Sequence, residues 1–128
     1  MTTETRIFTI DLRDDVAYDM AEWLAALVDT TPDLDALPPF SADNPDNHRV
    51  LRYTPDVVQV LRGGGSGVGI VRLRRRFRLT IDELMCLLLH AVNGPIGVIQ
   101  VKGEADESFL KMCHDVRQAI TKGIRRHV

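Results

Sequence analysis

Residues 49–63 read Arg-Val-Leu-Arg-Tyr-Thr-Pro-Asp-Val-Val-Gln-Val-Leu-Arg-Gly, and the assignment of this stretch decides the fold. Two readings compete. Thr54-Pro55-Asp56 is a good helix start, an N-cap followed by proline at the first helical position, and Gly63 is a good stop. Against that, Val57, Val58 and Val60 are β-branched and favour a strand, as do Val50, Leu51 and Tyr53 before them. The branched run tips the reading to a strand over 54–62.

On the C-terminal side, Gly63-Gly64-Gly65-Ser66-Gly67-Val68-Gly69 reads as a hairpin tip, since glycine accepts positive φ. It is no phosphate loop. It lacks the Lys-Ser/Thr pair and leads into a strand, so no helix N-terminus offers its amides there. The strand Ile70 to Leu79 is the clearest in the chain. Val71, Leu73, Phe77 and Leu79 point one way, with Arg75 interrupting, and Arg72, Arg74, Arg76 and Arg78 point the other.

Thr80-Ile81-Asp82-Glu83 is a capping box, and the helix it opens is expected to run through Val92 and stop at Asn93-Gly94-Pro95. Gly97 to Lys102 then reads as a short internal strand. A last helix spans Glu104 to His127, with Phe109, Met112, Val116, Ile120 and Ile124 as its apolar stripe. Its acidic start and basic end suit the helix dipole.

On the N-terminal side, Phe8, Ile10 and Leu12 alternate along a strand from Arg6 to Leu12. Asp14 and Asp15 open a helix to Asp29, with Ala17, Met20, Ala21, Leu24, Leu27 and Val28 on one stripe and Trp23 at its edge. Residues 30–48 carry four prolines among Asp and Asn and read as a long loop, mobile or poised to dock a partner.

The order is therefore β-α-loop-β-β-α-β-α. It matches an α+β domain of the split βαβ, or ferredoxin-like, kind: a four-stranded antiparallel sheet with helices on one face, plus an extra C-terminal helix. A chain of 128 residues, 45% apolar and 27% charged, fits one domain, 1–128. Met1 to Arg6 shows no secretory leader, and the longest unbroken apolar run, Leu84 to Leu89, is short of a membrane span. A cytoplasmic protein without membrane contact is expected. Arginine greatly outnumbers lysine, which suggests a GC-rich bacterial or phage gene.

The net charge is only −2, yet residues 1–47 hold eleven carboxylates against Arg6 and Arg13, and residues 48–128 hold fourteen Lys and Arg against seven acids. The asymmetry fits two parts of one chain, or two copies, lying against each other, and also fits a nucleic-acid partner for the basic part. Arg72, Arg74, Arg76 and Arg78 are the candidate binding residues, for a partner or for nucleic acid. Guanidinium groups at two-residue spacing repel one another. Phosphates would suit them, and so would carboxylates from the last helix or a second subunit. The strand lacks an outward aromatic for stacking bases.

No catalytic constellation stands out, and no cofactor is implied. Cys86 and His90 lie one turn apart on one helix, but Cys113 and His114 are adjacent on another and diverge by about 100°, so no zinc site is expected. Both cysteines read as buried reduced thiols. The expected function is a non-enzymatic binding or assembly module that self-associates, a dimer first, with the arginine strand at the contact. The alternatives are a nucleic-acid-binding protein using strand 70–79 and a small enzyme with a site that spacing does not reveal.

Overall fold

The alternation of Phe8, Ile10 and Leu12 makes the first strand, β1 (Ile7–Arg13), and buries those three side chains. The computed structural model describes residues 6–31, 49–63 and 74–126. The elements after β1 are α1 (Asp14–Thr30), α2 (Thr54–Gly63), β2 (Arg74–Thr80), α3 (Ile81–Lys102) and α4 (Glu107–Arg126). Residues 49–51 form one helical turn ahead of α2. The expected long loop, the tip of the glycine run and the start of the arginine strand, with Val71, Arg72 and Leu73, lie outside the described residues.

The four-stranded ferredoxin-like sheet is overturned. Among the described residues there are two strands, β1 and β2, paired antiparallel from Ile7 against Thr80 to Arg13 against Arg74. Two of the expected strands are helical, each for a physical reason.

Residues 54–63 form α2 because their apolar positions satisfy a helix as well as a strand. Val57, Val58 and Leu61 are buried at spacings of one, three and four, the inner face of a helix. β-branching costs a helix only tenths of a kcal/mol per residue, roughly, whereas burying such side chains contributes about 1.5–3 kcal/mol each. Burial wins. Thr54 does not cap the helix. Its hydroxyl donates back to the Leu51 carbonyl at 2.6 Å, while the Val57 amide donates to the Tyr53 carbonyl at 2.9 Å.

Residues 97–102 belong to α3, which runs straight through Asn93-Gly94-Pro95. Proline has no amide hydrogen, so Pro95 leaves the carbonyl four residues back, that of Ala91, without its helical donor. Arg117 of α4 supplies the missing hydrogen bond: its Nη1 donates to Ala91 O at 2.8 Å. Gly94 has a second role. A β-carbon there would stand 2.6 Å from the Trp23 ring, so only glycine lets that indole lie against the helix. The helix ends instead at Gly103, whose φ of 84° is left-handed and whose amide donates to Ile99 O at 2.8 Å.

Among the described residues, the other elements follow the sequence closely. The Thr80 capping box is formed, with the Thr80 hydroxyl accepting from the Glu83 amide and the Glu83 carboxylate accepting from the Thr80 amide. One core collects Phe8, Ile10, Met20, Leu24, Val57, Phe77, Leu79, Leu84, Leu87, Val116 and Ile120 from every element. In it α1 packs on α2, α2 on α3, and α4 on both α3 and β1. The apolar stripe of α4 therefore meets apolar surface rather than the arginines. Its closest approach is at Gly123, where a β-carbon would lie 2.6 Å from the Thr9 carbonyl oxygen.

Candidate functional site

Three places carry chemistry or unsatisfied surface: the arginine strand with the cleft beside it, a buried polar knot, and the outer face of α3.

Phe77 and Leu79 of β2 turn inward and are buried, so the period of two leaves Arg74, Arg76 and Arg78 exposed on the other face. Arg76 faces its cross-strand neighbour Asp11 and contacts that carboxylate at 3.4 Å. Asp11 also takes Arg126 of α4 at 2.9 Å. Partial desolvation works to raise the Asp11 pKa, but the hydrogen bonds and charges of Arg126 and Arg76 outweigh it and hold the carboxyl below its ordinary value. Asp11 is therefore a fixed anion, unsuited to proton transfer near neutral pH. Arg75, the interruption on the inner face, reaches the first residue of α1, Asp14, at 3.1 Å. Neutralisation of the row is thus partly internal, and the carboxylate comes from the paired strand rather than from the last helix. Among the described residues no ion pair engages Arg74 or Arg78. Arg72 lies outside them.

Where the sheet ends at the Arg13–Arg74 pair, it forms a cleft with α4 of about 460 Å³. The sheet supplies Asp11, Arg13 and Arg74, and α4 supplies Lys111, Asp115, Lys122 and Arg126. The α4 residues repeat at spacings of four, seven and four, one stripe of the helix. Beside the apolar stripe expected from sequence, α4 thus carries a polar one. The same spacing rule would have found it, but not which surface it faces.

The polar knot joins α2 to α3 in the core. Thr54 and His90 are both fully buried. The Thr54 hydroxyl lies 3.0 Å from His90 Nε2 and 3.4 Å from Cys86 Sγ. Its single proton goes to the Leu51 carbonyl, so the imidazole and the thiol must both donate to its oxygen. That makes His90 the Nε2–H tautomer. Burial lowers the His90 pKa to about 4 and raises the Cys86 thiol to about 12. A neutral imidazole and an un-ionised thiol sealed from solvent make a positioning device for the helices, not a reaction centre. Cys113 is also buried and its thiol is raised to about 11 by desolvation, while neighbouring His114 is exposed. Among the described residues no three of His, Cys, Asp and Glu gather as a metal set.

The outer face of α3 was missed because the helix was expected to stop at Val92. Ile81, Met85, Val92, Ile96 and Ile99 are each 38 to 46% exposed, and Leu88 among them is half-buried. At 100° per residue all six fall within an arc of roughly 80°. From Met85 to Val101 the chain holds no Asp, Glu, Lys or Arg. The signal was legible: the three-and-four spacing continues past the proline. By length and composition α3 could cross a membrane. Its opposite face, through Leu84, Leu87 and Ala91, is part of the core.

Comparison with protein-family models, with curated proteins and with solved structures finds no match.

Proposed function

We propose that the chain is an assembly module whose copies pair through the outer face of α3. The observation that carries this is the stripe of exposed Ile81, Met85, Val92, Ile96 and Ile99 around half-buried Leu88, about 27 Å long at 1.5 Å per residue. Solvent-facing helix surfaces carry charged and polar residues, and an apolar stripe of this length marks a contact.

A second copy is the occupant that fits. The stripe is self-complementary: an antiparallel pairing about the level of His90 sets Ile81 against Ile99, Met85 against Ile96 and Leu88 against Val92. Such a pairing is the isologous contact of a two-fold dimer. It also brings the cationic end of one α3, at Lys102, toward Asp82 and Glu83 of the other. This reading keeps the self-association expected from sequence and moves its seat from the arginine strand to α3.

The test is mass in solution by sedimentation at protein concentrations from about 5 to about 200 μM. A dimer is expected for the native chain and a monomer for Val92→Glu with Ile96→Glu, both on exposed positions. Arg74→Glu with Arg76→Glu should leave the dimer intact. A native chain that stays monomeric throughout overturns the reading, and a monomer that instead collects on lipid vesicles assigns the face to a membrane surface.

A further inference from the structure

We propose that the cleft between the end of the sheet and α4 binds a small polyanion, a molecule carrying at least two phosphate groups. Arg13, Arg74, Lys111, Lys122 and Arg126 line it against only two carboxylates, Asp11 and Asp115. The compensation among these groups is incomplete. Arg13 is held by Asp15 at 2.7 Å and Arg126 by Asp11 at 2.9 Å. Arg74, Lys111 and Lys122 have no ion pair among the described residues, and they converge on the cleft from two elements.

The strand register adds an independent observation. Arg13 and Arg74 are direct cross-strand partners at the cleft's edge. Like charges placed opposite each other destabilise a sheet. Asp15 answers one of the two, and nothing described answers the other. An anion seated between Arg74 and the lysines of α4 removes that repulsion and meets guanidinium with the geometry it favours for phosphate oxygens.

Shape and lining select the class of anion. The volume of about 460 Å³ is that of a small-molecule site, where ligand pockets run from about 300 to 1,000 Å³. No Phe, Tyr or Trp lines the cleft; exposed His114 is its one aromatic ring, a smaller platform than the rows of large aromatics that hold successive stacked bases. Asp11 and Asp115 would repel a continuous phosphodiester backbone, but they can accept hydrogen bonds from hydroxyl groups carried by a compact phosphorylated molecule. The proposal is independent of the pairing of α3 faces, because no residue of α3 lines the cleft.

Calorimetric titration with pyrophosphate and with tripolyphosphate near physiological ionic strength tests it. Saturable binding of one anion per chain is expected. Arg74→Gln and Lys122→Gln should each weaken it by about tenfold, the size of one lost charge-assisted contact. Arg78→Gln and Arg125→Gln, exposed but outside the cleft, should leave it unchanged. Lys111→Gln is a third variant in the cleft should Arg74→Gln melt early. Absence of saturable binding overturns the proposal, as does equal weakening by Arg78→Gln. A single-stranded oligonucleotide that binds more tightly than tripolyphosphate, and loses affinity equally through Arg74, Arg76 and Arg78, also overturns it and gives the whole strand face to nucleic acid.

Discussion

The two halves of α3 present the same outer stripe and are held in place by opposite means. The half from Ile81 to Val92 is helical on its own terms. It opens on a complete capping box, buries Leu84, Leu87 and Ala91, and carries no residue that breaks a helix. The half from Asn93 to Lys102 contains a proline and two glycines, and it is helical because other elements make it so. Trp23 of α1 lies where a β-carbon at residue 94 would stand, and Arg117 of α4 bonds the carbonyl that Pro95 leaves open. Local sequence decides the first half, and tertiary contact decides the second.

The largest test addresses the first half, through pH. His90 is neutral in the fold, with its pKa lowered to about 4 from an ordinary 6.5. Above the unfolded value neither state takes up a proton and stability is unaffected. As pH falls from 6.5 toward 4, the unfolded chain gains a proton that the folded one refuses, so stability drops. The loss levels off below the folded value at about 3 kcal/mol. Urea unfolding of the native chain and of His90→Gln, compared across this range, isolates the effect from that of the carboxylates. Parallel curves for the two would mean that His90 is not sealed between α2 and α3.

The second half is tested by a double-mutant cycle. Arg117→Met removes the donor to Ala91 and should cost about 1–2 kcal/mol, the penalty of a part-buried carbonyl left open. Pro95→Ala gives α3 back its own amide, so in that background the same Arg117→Met should cost less than half as much. Equal costs in both backgrounds would break the claim that α4 completes this helix.

The smallest effect returns to the helix start. Thr80→Ala removes the cap of α3 and should cost about 1 kcal/mol, measurable as a shift in the urea midpoint. A larger loss would show that the first half also leans on its surroundings.

These contrasts explain how much the sequence disclosed. β1, the inward residues of β2, α1, the capping box and the stripe of α4 were legible because each rests on near-neighbour periodicity or a local hydrogen bond. The fold class was not. For α2, the valines that suggest a strand fit a helix once burial outweighs propensity, and the Pro55 and Gly63 signals mark its two ends more truly. For residues 97–102, the breaker Gly94-Pro95 was read correctly as chemistry, but its remedy lies on Arg117, more than twenty residues away. Of the candidate arginines, the alternation around Arg74, Arg76 and Arg78 was legible. Their different situations were not: Asp11 binds Arg76, and the α4 lysines share a cleft with Arg74. Those are long-range placements.

The close approach of Gly123 to Thr9 bears on colloidal behaviour. A two-stranded sheet has two open flanks, and an open flank invites strands from other molecules to add on, the first step of fibrous growth. With α4 seated on the Thr9 carbonyl, an incoming strand is denied the flank of β1. The flank of β2 has no described strand beside it, but Arg74, Arg76 and Arg78 alternate along it, and a second copy arriving there would bring the same positive row. One side is closed by a helix and the other by like charge, so assembly by strand addition is disfavoured at both.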